Sequence, residues 1–118
     1  MNLLDEPESE QPQALPVYNK NGFSMALTIL SHGADVTVQA CFTCTTDVQH
    51  IMLQAAVPKT QQLQMLPLSK SSIVPGEQAT QNMRISGVSN NGKVRLRIRL
   101  SYHVHGEEVR DQLDWMQP

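Results

Sequence analysis

The stretch VRLRIRLSYHV (94–104) constrains the fold more than any other part of the chain. Val94, Leu96, Ile98, Leu100 and Tyr102 alternate with Arg95, Arg97, Arg99 and Ser101. A period of two is the signature of an extended strand with one face in a core and the other in water. A helix would scatter those arginines around its circumference. The reading is therefore a β-strand with Val94, Leu96, Ile98, Leu100 and Tyr102 inward and the arginines outward.

Other segments repeat the pattern. FSMALTILS (23–31) and DVTVQACFTCTT (35–46) alternate about a turn at HGAD. HIMLQAAV (50–57) runs into Pro58, and QLQMLPLS (62–69) alternates again. After the Pro75-Gly76 loop, ATQNMRISGVS (79–89) leads to Asn91-Gly92, a strong tight-turn pair. HGEE then turns the chain into VRDQLDW (109–115). No window carries sustained helical periodicity. Short strands with turns every 8–12 residues or so predict an all-β, immunoglobulin-like antiparallel β-sandwich of about seven to eight strands. A chain of 118 residues suits one such domain. Residues 1–16 hold three of the seven prolines and four of the eleven acids, with few large apolar side chains. They read as a flexible hinge or linker, with the folded domain spanning 17–118.

Charge narrows the function. Net charge is −2, yet from Val17 onward nine basic residues face seven acids. Four of the nine basic residues fall in Lys93–Arg99. A nucleic-acid binder normally shows a broader basic face. The opening MNLLDEPESE is acidic and broken by Pro7, unlike a secretory signal, and no apolar run reaches the roughly 20 residues of a membrane span. Both point to a cytoplasmic protein.

Catalytic patterns are missing from the sequence: no nucleophile elbow, no glycine-rich phosphate loop, no H-E-x-x-H. Cys41 and Cys44 form a C-x-x-C inside a strand, which sets them about 10 Å apart on opposite faces. That predicts free thiols, since a disulfide needs Cα atoms within about 7 Å. His103 and His105 share a strand face, but solvated strand-end histidines are the expectation, not a metal site. The sequence therefore predicts no enzyme activity, no cofactor and no metal.

Two features stand out. Mixed charge would solubilise a strand face better than three like charges spaced by about 7 Å. All three are arginine, which forks onto carboxylates and stacks on rings. An acidic, aromatic, extended peptide is a fitting ligand. The plainer readings are a solvated outer face and a protected edge strand. The second feature is Ala55-Ala56, small residues where Val or Ile would pack better. They leave room for a ligand, or for close packing between sheets.

These stretches carry a family resemblance. YNKNG (18–22), QAAVPK (54–59), SSIVP (71–75) and VRLRIRLSY (94–102) resemble the ear (appendage) domain of gamma-adaptins, large subunits of the trans-Golgi and endosomal clathrin adaptor. The ears of Golgi-localised, gamma-ear-containing, Arf-binding proteins are similar. The resemblance covers Val17 to Asp114. It implies a non-enzymatic module that captures acidic Phe-Gly-x-Phe-like motifs in accessory trafficking proteins of the synergin, rabaptin and epsin-related kinds. It also implies other adaptor subunits as partners, and membrane contact only indirectly, on Golgi and endosomal coated vesicles. By position it places peptide binding on Ala56, Val57, Pro58, Lys59, Met65, Arg95, Arg97, Arg99 and Asp114. Leu3, Leu4, Asp5 and Glu6 loosely resemble the tail of a clathrin-binding box, with a plain hinge segment as the first reading. The ending DQLDWMQP departs from the family pattern. On this reading the peptide lies along a strand edge. The alternatives are a structural immunoglobulin-like module, or a binder of nucleic acid or anionic lipid.

Overall fold

The computed structural model describes residues 13–31, 35–88 and 93–117. The hinge residues Leu3–Glu6, most of the HGAD turn and Asn91-Gly92 lie outside the described residues. Eight strands form: β1 (Leu15–Lys20), β2 (Phe23–Ser31), β3 (Asp35–Cys44), β4 (Val48–Ala56), β5 (Gln62–Met65), β6 (Ala79–Ser86), β7 (Arg95–Val104) and β8 (Glu107–Met116). They make a five-stranded sheet, β1-β2-β3-β6-β5, and a three-stranded sheet, β4-β7-β8. Every strand pairing is antiparallel. The described residues contain no helix.

Alternation builds the core. Along β7, Leu96, Ile98, Leu100 and Tyr102 are buried while Arg95, Arg97 and Arg99 are exposed. Along β3, Val36, Val38, Ala40, Phe42 and Cys44 are buried in the same rhythm. The two inner faces meet at Phe23, Phe42 and Tyr102. Phe23 stacks on Phe42 at 5.6 Å and lies 4.4 Å from the Tyr102 ring. Fully burying one such ring contributes about 1.5–3 kcal/mol. Cys41 points away from this core and Cys44 into it, and both thiols are free. Burial raises the pKa of each, which keeps them protonated.

One side of the sandwich is closed by polar groups. The Tyr18 and Tyr102 hydroxyls meet at 2.7 Å, and Tyr18 also donates to the Asp111 carboxylate. Asn21 Nδ2 donates to the Tyr102 hydroxyl at 3.0 Å. These bonds tie β1, the edge of one sheet, to β7 and β8 of the other. The strand orders then leave edges β4 and β5 along the opposite side.

Several boundaries differ from the sequence reading. A first strand, not expected from the sequence, starts at Leu15, which pairs with Leu27, two residues ahead of the expected start of the folded domain at Val17. Asn21-Gly22 closes the β1–β2 hairpin with φ of 56° and 77°, the doubly left-handed geometry of a type I′ turn. β5 ends at Met65, not Ser69, because Pro67 cannot extend the ladder. β6 ends at Ser86, where Gly87 adopts φ 84°.

Candidate functional site

The β7–β8 turn sets the site's register. His105 and Gly106 have φ of 53° and 78°, so Val104 pairs with Glu107. Counting back, Arg99 faces Gln112, Arg97 faces Asp114, Leu96 faces Trp115 and Arg95 faces Met116. On the other flank Ala56 faces Arg97 and Gln54 faces Arg99. The outer face of β4-β7-β8 thus carries the arginine row in its centre, with β4 and β8 as walls.

An open hollow of about 480 Å³ lies at one end of this face, lined by Ala56, Val57, Pro58, Arg95, Leu96, Arg97, Asp114, Trp115 and Met116. It brings together six of the expected residues: Ala56, Val57, Pro58, Arg95, Arg97 and Asp114. Its chemistry is an apolar floor with charge on the rim. Ala56, Pro58 and Met116 leave a shallow apolar surface there, while Val57 and Trp115 underlie it, half-buried against the core.

The guanidiniums are not equivalent. Arg97 Nε donates to Asp114 Oδ1 at 3.0 Å, with both side chains more than half exposed. Accepting that hydrogen bond, and its negative charge, let Asp114 hold the Arg97 pKa above its ordinary value. Arg99 Nε donates to the neutral Gln112 Oε1 at 3.2 Å. Among the described residues no carboxylate pairs with Arg95 or Arg99.

The remaining expected residues fall elsewhere. Lys59 follows Pro58 in the exposed β4–β5 turn, outside the lining. Arg99 lines a neighbouring hollow. Met65 sits on β5 of the other sheet, half-buried against the core, and does not line the hollow with Ala56. Trp115, Met116 and Leu96 line it without having been singled out from sequence. Counting register back from the His105-Gly106 turn would have found Met116 opposite Arg95 on the outer face, with Trp115 opposite Leu96 on the core side.

Two expectations are corrected. The arginine strand is not an edge: β7 pairs with β4 and β8 along its length, so its main chain has no ladder left to offer. A peptide on the arginines crosses the sheet face. The edges of this sheet are β4 and β8, and the first half of β4 is covered by mutual Val48–Ile73 bonds and by Ile51 N–H donating to Ser71 O. The histidines also part company. His103 packs against His50 at 4.7 Å, while His105 belongs to the β7–β8 turn. Among the described residues no cluster of three or more ligating groups is placed to hold a metal.

The adaptin C-terminal domain family matches residues 13–118. The chain belongs to that family. It is 42% identical over 106 residues to an AP-1 complex subunit gamma-1 from Mycosarcoma maydis, across 86% of this chain. It is 34% identical over 122 residues to an AP-1 complex subunit gamma-like 2 from Mus musculus, across 94% of this chain. The chain spans only 12% and 15% of those proteins' lengths. Its fold matches the crystallised GAE domain of GGA2p from Saccharomyces cerevisiae with a TM-score of 0.81 at 15% identity, covering 90% of this chain and 98% of that one. The fold thus matches at low identity, so function has to be argued from this chain's own surface residues.

Proposed function

We propose that this domain is the peptide-capturing appendage of an AP-1-type clathrin adaptor, working without catalysis. It recruits accessory trafficking proteins through short motifs that combine acidic residues with aromatic side chains, of the Phe-Gly-x-Phe kind. The observation that carries this reading is the juxtaposition of the Ala56–Pro58–Met116 floor with Arg95 and Arg97. An aromatic ring gains burial on that floor, and the arginine stems frame it while their heads stay in water. Carboxylates flanking the ring meet the guanidiniums. The likeness to AP-1 gamma subunits supports a cytoplasmic location on Golgi and endosomal coated membranes, reached through the rest of the adaptor.

Mixed charge on the face favours peptide over nucleic acid or lipid. Asp114 sits among the arginines, and Glu108 continues the acidic contribution along β8. A polyanion would meet these carboxylates as well as the guanidiniums, whereas a short peptide places single charges.

An open groove of this size implies weak binding, on the order of micromolar, with several tethered motifs supplying avidity. Calorimetric titration with an acidic Phe-Gly-x-Phe peptide tests the reading. Saturable binding that disappears when both phenylalanines become alanine is expected. Equal binding of the two peptides contradicts it.

A further inference from the structure

Strand β8 pairs with β7 on one side, and among the described residues no strand pairs with its other side. The two-residue His105-Gly106 turn makes Val104–Glu107 a hydrogen-bonded pair, and an antiparallel ladder alternates bonded with non-bonded pairs. The odd-numbered residues of β8 therefore spend their main-chain groups on β7. Gln117 N–H, donating to Val94 O at 2.9 Å, keeps that phase at the far end. Glu108, Arg110, Gln112, Asp114 and Met116 turn their N–H and C=O groups to the open edge, and their side chains are exposed.

Ten residues of open edge invite pairing, and charged side chains are the usual guard. Here the charges are self-complementary about one point. Antiparallel pairing with β8 of a second copy has to join even positions to even positions. Centred on Gln112, Arg110 of each copy faces Asp114 of the other, and no like charges meet. A centre at Asp111 sets Glu108 against Asp114. A centre at Leu113 removes both ion pairs, and a centre at Arg110 or Asp114 sets that charge on itself. Both groups have capacity for the added bond. Asp114 accepts from Arg97 through Oδ1, leaving Oδ2, and Arg110 gives Nε and Nη2 to Glu108, leaving Nη1. On the core side the same register brings Val109 to Trp115, both only half-buried in the single copy.

We propose that β8 is a self-pairing edge: two copies of this chain join β8 to β8 antiparallel about Gln112, forming one six-stranded sheet. Paired even positions supply about ten main-chain bonds. Contact along a single strand is small, so the dimer is weak and concentration-dependent. The two arginine rows then share one continuous face, three strand spacings or roughly 14 Å apart. The pairing is independent of what the groove binds.

Sedimentation equilibrium from about 10 µM to about 1 mM tests it, with the mass expected to rise from monomer toward dimer. Arg110→Asp places carboxylates opposite Asp114 at both symmetric positions, and Asp114→Arg places guanidiniums opposite Arg110. Each variant alone weakens self-association by about tenfold or more. An equimolar mixture of the two recovers it, because every facing pair is then of opposite sign. Gln112→Pro removes the outward N–H at the centre and leaves the β7 ladder intact. It abolishes the wild-type dimer, and also the mixed dimer when carried by either member, while thermal melts show a folded domain. A wild type that stays monomeric throughout overturns the proposal. So does self-association that survives Gln112→Pro or the single charge reversals, or a mixture that stays monomeric.

Discussion

Ala56 is the residue on which the groove's shape turns. It faces Arg97 across the β4–β7 ladder and is solvent-exposed, so replacing it disturbs no core packing. Ala56→Asp would fill space in the hollow, add a second carboxylate near Asp114 and compete for Arg97. Calorimetry should show acidic-aromatic peptide binding weakened by about tenfold or more, with an unchanged thermal melt. Unchanged affinity would move the ring's seat elsewhere. Trp115, the chain's only tryptophan, lines the hollow from the core side of β8, so a change in its emission on peptide addition reads occupancy. Tyr18 supplies a prediction about stability. Burial first, then its bonds to Asp111 and Tyr102, push its phenol pKa far above 10. A phenol whose pKa is raised by folding stabilises the fold fully below the unfolded value of about 10, and that contribution is lost as pH climbs past it. Melting temperature should therefore fall above about pH 10 in the wild type, and less steeply in Tyr18→Phe. Parallel curves for the two proteins would remove Tyr18 from the account.

At the scale of elements, legibility followed the strength of local signals. β7 was readable because nine alternating positions leave no second interpretation, and its inward and outward residues fall as the alternation requires. β8 was readable as a strand, but its register needed the His105-Gly106 turn to be counted. β1 was missed as a strand because LPVYNK carries little alternation and a proline. The Asn21-Gly22 pair that closes its hairpin is as strong a turn signal as Asn91-Gly92. That β7 is central, not an edge, is a property of strand order, and strand order depends on which edges the core brings together. The same limit explains Met65. Sequence position sets it nine residues after Ala56, but only topology assigns it to the other sheet. One element-scale prediction concerns the turn beside the groove. Gly87 ends β6 at φ 84°, and a Cβ there would sit 2.7 Å from Thr60 O in the β4–β5 turn. Gly87→Ala should lower unfolding free energy by about 1–3 kcal/mol in urea titrations. An unchanged midpoint would mean that this turn packs less tightly against β6.

For the whole molecule, the division of labour lies between two sheets. The five-stranded sheet supplies most of the core, and the three-stranded sheet carries the groove on its outer face. Closure at Tyr18, Tyr102 and Asp111 fixes one sheet over the other without involving Arg95 or Arg97. Charge near the surface is screened by salt, so peptide affinity should fall as ionic strength rises while the melting temperature changes little. The central claim is that an acidic-aromatic peptide occupies the outer face of β4-β7-β8. The most direct test is titration of the isotope-labelled domain with an acidic Phe-Gly-x-Phe peptide, followed by amide chemical shifts. The account predicts the largest changes at Ala56, Val57, Arg95–Arg97 and Asp114–Met116. Shifts concentrated instead on the β1-β2-β3-β6-β5 sheet, or no shifts at saturating peptide, would contradict it.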